Sequence, residues 1–196
     1  GVHVPRNLEP LLARAGVLAV GPGLGQDEWG RGLWNAALDA GKPLVLDADG
    51  LNLLAATPRG LPSACVLTPH PGEAARLLGM ATSEIQADRF AAGCALAQKY
   101  RAVIVLKGAG SLIADSDGQV AVCPWGNPGM ATGGTGDVLT GVIAGLLAQG
   151  LGAWDAACLG VGLHARAGDL AARAGERGLL ASDLFPYLRA LVNGRA

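Results

Sequence analysis

The sequence predicts an α/β protein with a mainly parallel sheet covered by helices on both faces. Short, continuous apolar runs recur at residues 15–20 (AGVLAV), 43–46 (PLVL), 65–67 (CVL) and 102–106 (AVIVL). Strands buried on both faces read as such unbroken runs. Helical stretches separate them, the alternation that builds parallel sheets. Each run also ends in a polar or glycine-rich cluster: GPGLG, DADGLN, TPHPGE and KGAGS. Ligands of open parallel sheets bind beyond the carboxyl ends of the strands, so these clusters mark one candidate face.

Taken in order, residues ahead of 15 read as loop or strand. The first strand is followed by GPGLG and a helix over residues 26–40, stopped by Gly41. The second strand ends in Asp47-Ala48-Asp49, with a short helix over 51–56. After the third strand, Pro71 suits the first helical position, where its missing N–H would be unpaired anyway. That helix stops at Gly79. Ser83 and Gln86 form an S-x-x-Q capping box that opens a helix reaching about Tyr100. Beyond the fourth strand, residues 111–114 and 120–123 form a hairpin turning at Asp117-Gly118. Residues 137–149 are apolar on nearly every face and predict a buried helix. Gly141 and Gly145 are expected to let it pack closely. A helix over 154–174 and a last one from Ser182 complete the chain, with Leu184, Leu188, Leu191 and Val192 at helical spacing. No change of composition divides the 196 residues, which predicts one domain, 1–196.

Composition narrows the function. Hydrophobic residues make up 51% and charged residues 16%, against about 25% charged in an average protein, which excludes disorder. A net charge of −1 with scattered lysines and arginines argues against nucleic-acid or anionic-membrane partners. No apolar run approaches the ~20 residues of a membrane span. Cys65, Cys94, Cys123 and Cys158 are far apart and form no metal-binding pair, the pattern of reduced thiols in a cytoplasmic protein. The apolar composition favours self-association into a homo-oligomer.

The strongest chemical signal lies at residues 127–137. Four glycines precede an apolar helix, and a helix N-terminus offers unpaired N–H groups and positive potential to a phosphate. Asn127, Gly133, Gly134, Thr135 and Gly136 are therefore candidate nucleotide contacts. Asp137 reads either as the N-cap of that helix or as a catalytic carboxylate, and the glycines ahead of it favour catalysis. The segment lacks the lysine of a Walker A loop. Lys107 ends a buried strand, either snorkelling or, beside Gly108 and Gly110, contacting a nucleotide phosphate. His70, between two prolines, bonds a ligand or satisfies a neighbouring carbonyl. Asp47, Asp49 and Asn52 either surround a magnesium–phosphate water shell or cap a helix. Only Asp47 is a metal candidate, and a weak one. His164 and the cysteines read as core.

These residues carry a resemblance. GNPGMATGGTGDVLTG, residues 126–141, closely resembles the signature of the ADP-dependent NAD(P)H-hydrate dehydratases, which form the carboxyl-terminal part of many bifunctional repair enzymes. LTPHPGE (67–73), DADGLNLL (47–54) and the Gly21–Gly25 turn resemble further family signatures in the same order. GTGD alone suggests only the wider ribokinase-like superfamily; TPHPGE makes the match specific. The resemblance implies a ribokinase-like, three-layer α/β/α sandwich. It implies ADP as co-substrate, Mg2+, and conversion of hydrated NADH or NADPH to the dinucleotide with release of AMP and phosphate. By position, Asp137 matches the catalytic aspartate. Gly136 and the segment Lys107, Gly108, Ala109, Gly110 and Ser111 match nucleotide contacts. His70 and a glycine of the first turn, Gly23 or Gly25, match substrate contacts, with Asp49 and Asn52 beside them. Family members open with further strands ahead of this chain's Gly1, so the chain is expected to be a dehydratase domain without its amino-terminal part or the epimerase half. The rival readings are a ribokinase-like small-molecule kinase and an inert nucleotide-binding module.

Overall fold

A computed structural model describes residues 8–195. The sequence's opening at Gly1 and the outer ends of the predicted 1–196 domain lie outside the described residues. Six strands form one sheet in the order β1 to β6: Leu18–Val20, Leu44–Leu46, Cys65–Leu67, Val103–Leu106, Leu112–Ala114 and Val120–Val122. The first four are parallel. The last two add an antiparallel hairpin at the edge, as the 111–123 pattern predicts.

Alternation along the strands sorts the core into two layers, because successive side chains leave a strand on opposite faces. Leu44, Leu46, Cys65, Leu67, Ile104, Leu106, Leu112 and Ala114 join one buried cluster. That cluster holds the helices connecting the parallel strands: α2 (Glu28–Asp39), α3 (Ala48–Ala56), α4 (Pro71–Leu78), α5 (Thr82–Ala87) and α6 (Arg89–Tyr100). Val45, Val66, Val103, Val105 and Ile113 enter the other cluster, with α7 (Thr135–Ala148) and α8 (Ala153–Ala171). A third cluster packs α9 (Leu184–Val192) on α8. The result is the three-layer sandwich with a mainly parallel sheet. Each fully buried leucine contributes about 1.5–3 kcal/mol of transfer free energy, so the strand alternation alone fixes which face each strand turns to which layer.

Several local expectations differ. The residues ahead of Ala15 form a helix, α1 (Leu8–Arg14), without a buried side chain. Pro10 is compatible with it because the first-turn N–H has no helical partner. The single helix expected from Ser83 to Tyr100 is two. Glu84, not Ser83, completes the start of α5, its Oε2 accepting from the Ala81 N–H at 2.7 Å. Asp88 then breaks the helix and caps α6 by accepting from the Ala91 N–H at 2.9 Å. Gly141 and Gly145 do not mediate close packing, since a Cβ on either would meet nothing within 4 Å. The close approach between α7 and α8 is at Gly160, where a Cβ would lie 2.7 Å from Ile143 Cγ1. Among the described residues no helix is long and apolar enough to cross a membrane.

Candidate active site

The turns after β1, β2, β3 and β4 lie at one end of the sheet, and the start of α7 closes over them. Gly21 follows β1 with φ +135°, and a Cβ there would lie 1.7 Å from the Asp47 carbonyl oxygen. Only glycine lets the first and second turns approach so closely. Asp47 follows β2 and is 1% exposed. Its Oδ1 accepts from the Ala48 N–H at 2.9 Å and from Lys107 Nζ at 2.6 Å, and its Oδ2 accepts from the Thr140 hydroxyl at 2.8 Å. Glu73, also buried, lies 3.8 Å from the same Lys107 nitrogen through Oε2. One lysine thus serves two buried carboxylates. Removing a buried charge from water costs several kcal/mol, so the pairing is what keeps Asp47 compatible with its position.

This arrangement bears on the alternatives left open for Lys107 and Asp47. Lys107 does not snorkel into solvent: its ammonium lies between Asp47 and Glu73, and a Cβ on Gly136 would be 3.3 Å from it. Asp47 caps α3 and has both oxygens engaged, so it does not suit a metal ligand. Among the described residues no three His, Cys, Asp or Glu side chains gather where they could hold a metal ion. The donor set does not fit a protein-built magnesium site.

Among the described residues, the His70 side chain bonds no neighbouring carbonyl. Its Nδ1 accepts from the N–H groups of Gly72 (3.0 Å) and Glu73 (3.3 Å), capping α4, while Glu73 Oε2 accepts from the His70 N–H at 2.7 Å. An accepting Nδ1 places the proton on Nε2, which lies 3.4 Å from Glu73 Oε1. Half of the His70 side chain remains exposed at the mouth of the site.

Asp49 ties down the first turn, with Oδ2 accepting from the Gly25 N–H and Oδ1 from the Gln26 amide, each at 2.9 Å. The Gln26 bond, and then that of Gly25, hold its carboxyl below the usual range. Asn52 accepts from Arg76 at 3.0 Å. Gly23 lies exposed in the same turn, one of its left-handed positions with φ +65°. Asn127 donates to Asp169 at 3.0 Å, and the same carboxylate receives the Gly126 N–H at 3.1 Å, anchoring the glycine-rich segment to α8.

At α7 the N-cap is Gly134 (φ +90°), and among the described residues no side chain caps the helix. Asp137 is the third helical residue, not the cap, so the N-cap reading of it is corrected. It is exposed and makes no side-chain hydrogen bond or ion pair among the described residues. Beneath it, His164 Nε2 bonds the Thr135 carbonyl at 2.8 Å, and the Thr135 hydroxyl faces the carbonyls of Met130 and Thr132, both at 2.9 Å. Burial, with a smaller push from Lys107, lowers the His164 pKa to about 4 against the opposing Thr135 bond. His164 is core, as expected, but it also braces the start of α7. Gly133 is exposed ahead of the cap.

All four cysteines are free, with Cys65 and Cys123 buried. Burial pushes the Cys65 thiol up to about 12. Sequence reading assigned no role to Glu73, Thr140, Arg89 or Asp169. Thr140 had one signal, a polar residue in an otherwise apolar helix, and Glu73 another, an acid three residues after a capping position.

With this geometry in place, comparison with known proteins decides the family. A model described as NAD(P)H-hydrate dehydratase matches residues 3–189. The chain belongs to the NAD(P)H-hydrate dehydratase family. It is 55% identical over 188 residues to the bifunctional NAD(P)H-hydrate repair enzyme of Coxiella burnetii, a match covering 95% of this chain and 38% of that protein. The chain thus spans little more than a third of that relative. The solved ADP/ATP-dependent NAD(P)H-hydrate dehydratase of Bacillus subtilis, co-crystallised with ATP and Mg2+, superposes with a TM-score of 0.82 at 34% identity, over 95% of this chain and 69% of that one. A ribokinase-like superfamily protein of Enterococcus faecalis matches with a TM-score of 0.87 at 30% identity, over 96% and 66%. The dehydratase fold here is ribokinase-like.

Proposed function

We propose that this chain, acting as one domain, catalyses the ADP-dependent dehydration of (6S)-NAD(P)H hydrate to NAD(P)H, releasing AMP and phosphate. The observation that carries this reading is Asp137, an exposed and uncommitted carboxylate in the first turn of a helix whose N-terminus no side chain caps. Family membership supplies the substrate class, and the name of the Bacillus subtilis relative supports an adenine nucleotide.

Hydroxide is a poor leaving group, so the C6 hydroxyl of the hydrated ring must first be esterified. Asp137 orients that hydroxyl and takes its proton while the oxygen attacks the terminal phosphorus of ADP and AMP departs. The N–H groups of Thr135, Gly136 and Asp137 receive the moving phosphoryl group. The C6–O bond then breaks as the ring-nitrogen lone pair moves in. Phosphate leaves, and loss of the C5 proton restores the double bond. Lys107, Gly108, Ala109, Gly110 and Ser111, with Gly133 and Asn127, hold the nucleotide. Gly23 or Gly25, His70, Asp49 and Asn52 border the hydrated dinucleotide. Magnesium, bound with the nucleotide, would offset the diphosphate charge. Exposed Trp29, Trp125 and Phe185 support self-association, which light scattering checks.

The test mixes NADH hydrate and ADP with the parent chain and with Asp137→Asn, following phosphate release and the return of NADH absorbance. The parent is expected to give both signals together, and the variant neither, with ADP affinity retained. Near-normal turnover by Asp137→Asn refutes the assignment. A stable phosphorylated product would favour the kinase reading.

A further inference from the structure

A single cation stands behind the glycine-rich turn that follows β4. Arg89, the first residue of α6, donates from Nη1 to the Ala109 carbonyl at 2.8 Å. Its Nη2 faces three more carbonyls, those of Leu106 at 3.0 Å, Gly110 at 3.3 Å and Lys107 at 3.4 Å. Gly108, with φ +146°, lets the guanidinium lie against the backbone; a Cβ there would be 2.9 Å from Nη1 and 3.1 Å from Nη2.

This geometry has a consequence on the other side of the turn. The described peptides are trans, so each N–H points opposite the carbonyl it shares a plane with. Gathering the carbonyls of Lys107, Ala109 and Gly110 on Arg89 turns the N–H groups of Gly108, Gly110 and Ser111 away from it. None of these three N–H groups makes a hydrogen bond to another described residue. Free N–H groups in succession around a left-handed residue, here Gly110 with φ +64°, form an anion-binding concavity. A positive charge at the carbonyl end of a peptide also polarises its N–H end toward stronger donation.

We propose that Arg89 is a positioning residue for the nucleotide: from behind the turn, it shapes and polarises the N–H groups of Gly108, Gly110 and Ser111 to bind a phosphate of ADP that it does not itself touch. This rests on the nucleotide role of residues 107–111. Lysine cannot replace it fully, because an ammonium is a point donor and cannot span four carbonyls as a planar fork does.

The experiment measures ADP binding by titration calorimetry, and KM and kcat with ADP varied, for the parent, Arg89→Ala, Arg89→Lys and Gly108→Ala. Arg89→Ala is expected to weaken ADP binding about 10–100-fold, the range of one or two charged hydrogen bonds, with kcat at saturating ADP little changed. Arg89→Lys should fall between. Added guanidinium ion should restore part of the affinity of Arg89→Ala and leave the parent unchanged. Gly108→Ala, which keeps the charge but displaces it, should lose affinity as well. Parent-like ADP binding by Arg89→Ala overturns the proposal, as does an affinity loss that guanidinium does not relieve and that tracks thermal stability. A parent chain that binds no ADP overturns the nucleotide reading first, and this proposal with it.

Discussion

Acidification should loosen the start of α7 through His164. The folded protein holds this imidazole neutral down to about pH 4, whereas a free imidazole takes up its proton near 6.5. The unfolded chain therefore binds a proton first as pH falls. The stability contributed by His164 is complete above the unfolded value and drains away between 6.5 and about 4. With those two values, linkage gives a loss of about 1.8 kcal/mol between pH 7 and pH 5. For a domain of this size that corresponds to a fall of about 4–7 °C in melting temperature. His164→Gln keeps an N–H donor for the Thr135 carbonyl but does not titrate. The assay is urea denaturation of both proteins at pH 7 and pH 5. Contributions from every other group are common to the two and cancel in the difference. The parent should lose about 1.8 kcal/mol more than His164→Gln over this interval. An equal loss in both proteins, or a larger one in the variant, would show that His164 is not held neutral by its surroundings.

Three further outcomes follow from the packing. Gly141→Ala and Gly145→Ala should each stabilise the protein by up to about 1 kcal/mol, read by thermal unfolding, because both lie in α7 with open space at the Cβ position. Lys107→Met should cost about 3–5 kcal/mol in urea denaturation by leaving Asp47 charged and unpaired, and adding Asp47→Asn should recover part of the loss. Gly21→Ala should abolish soluble expression, since its Cβ would lie within bonding distance of the Asp47 carbonyl oxygen.

The architecture was legible because its signals are local. Apolar strand runs, the Pro71 helix start and the hairpin at Asp117-Gly118 each announce themselves within a few residues. The departures have local causes too: Asp88 offers a cap that outcompetes a continuous helix, and the leucines of α1 show helical spacing across a proline. The interior of the site is different. Asp47 meets Lys107 across 60 positions and Thr140 across 93, and no periodicity records such a pairing. Lys107 therefore read as either a snorkelling or a phosphate-contacting lysine, with no sign that its ammonium also pairs with two buried carboxylates. Arg89 lay inside the single helix expected from Ser83 to Tyr100, and the role proposed for it depends on a turn 17 to 21 residues away. Asp137 was singled out by chemistry but assigned a reaction only by resemblance. Its neighbours in space could not have been deduced.

In the function proposed above, the freedom of Asp137 separates chemistry from folding. It is exposed and outside the buried clusters, and its favourable position in the first turn contributes about 1 kcal/mol at most. A copy of this gene that lost the carboxylate would still make a well-folded protein. Its melting curve would be ordinary, and its affinity for nucleotide nearly intact. Selection on stability is blind to that change, and so is any quality control that reads solubility or thermal shift. Relatives that keep every glycine of the segment and lack the acid are therefore accessible in a single step, and turnover is the property that tells such a protein from an enzyme.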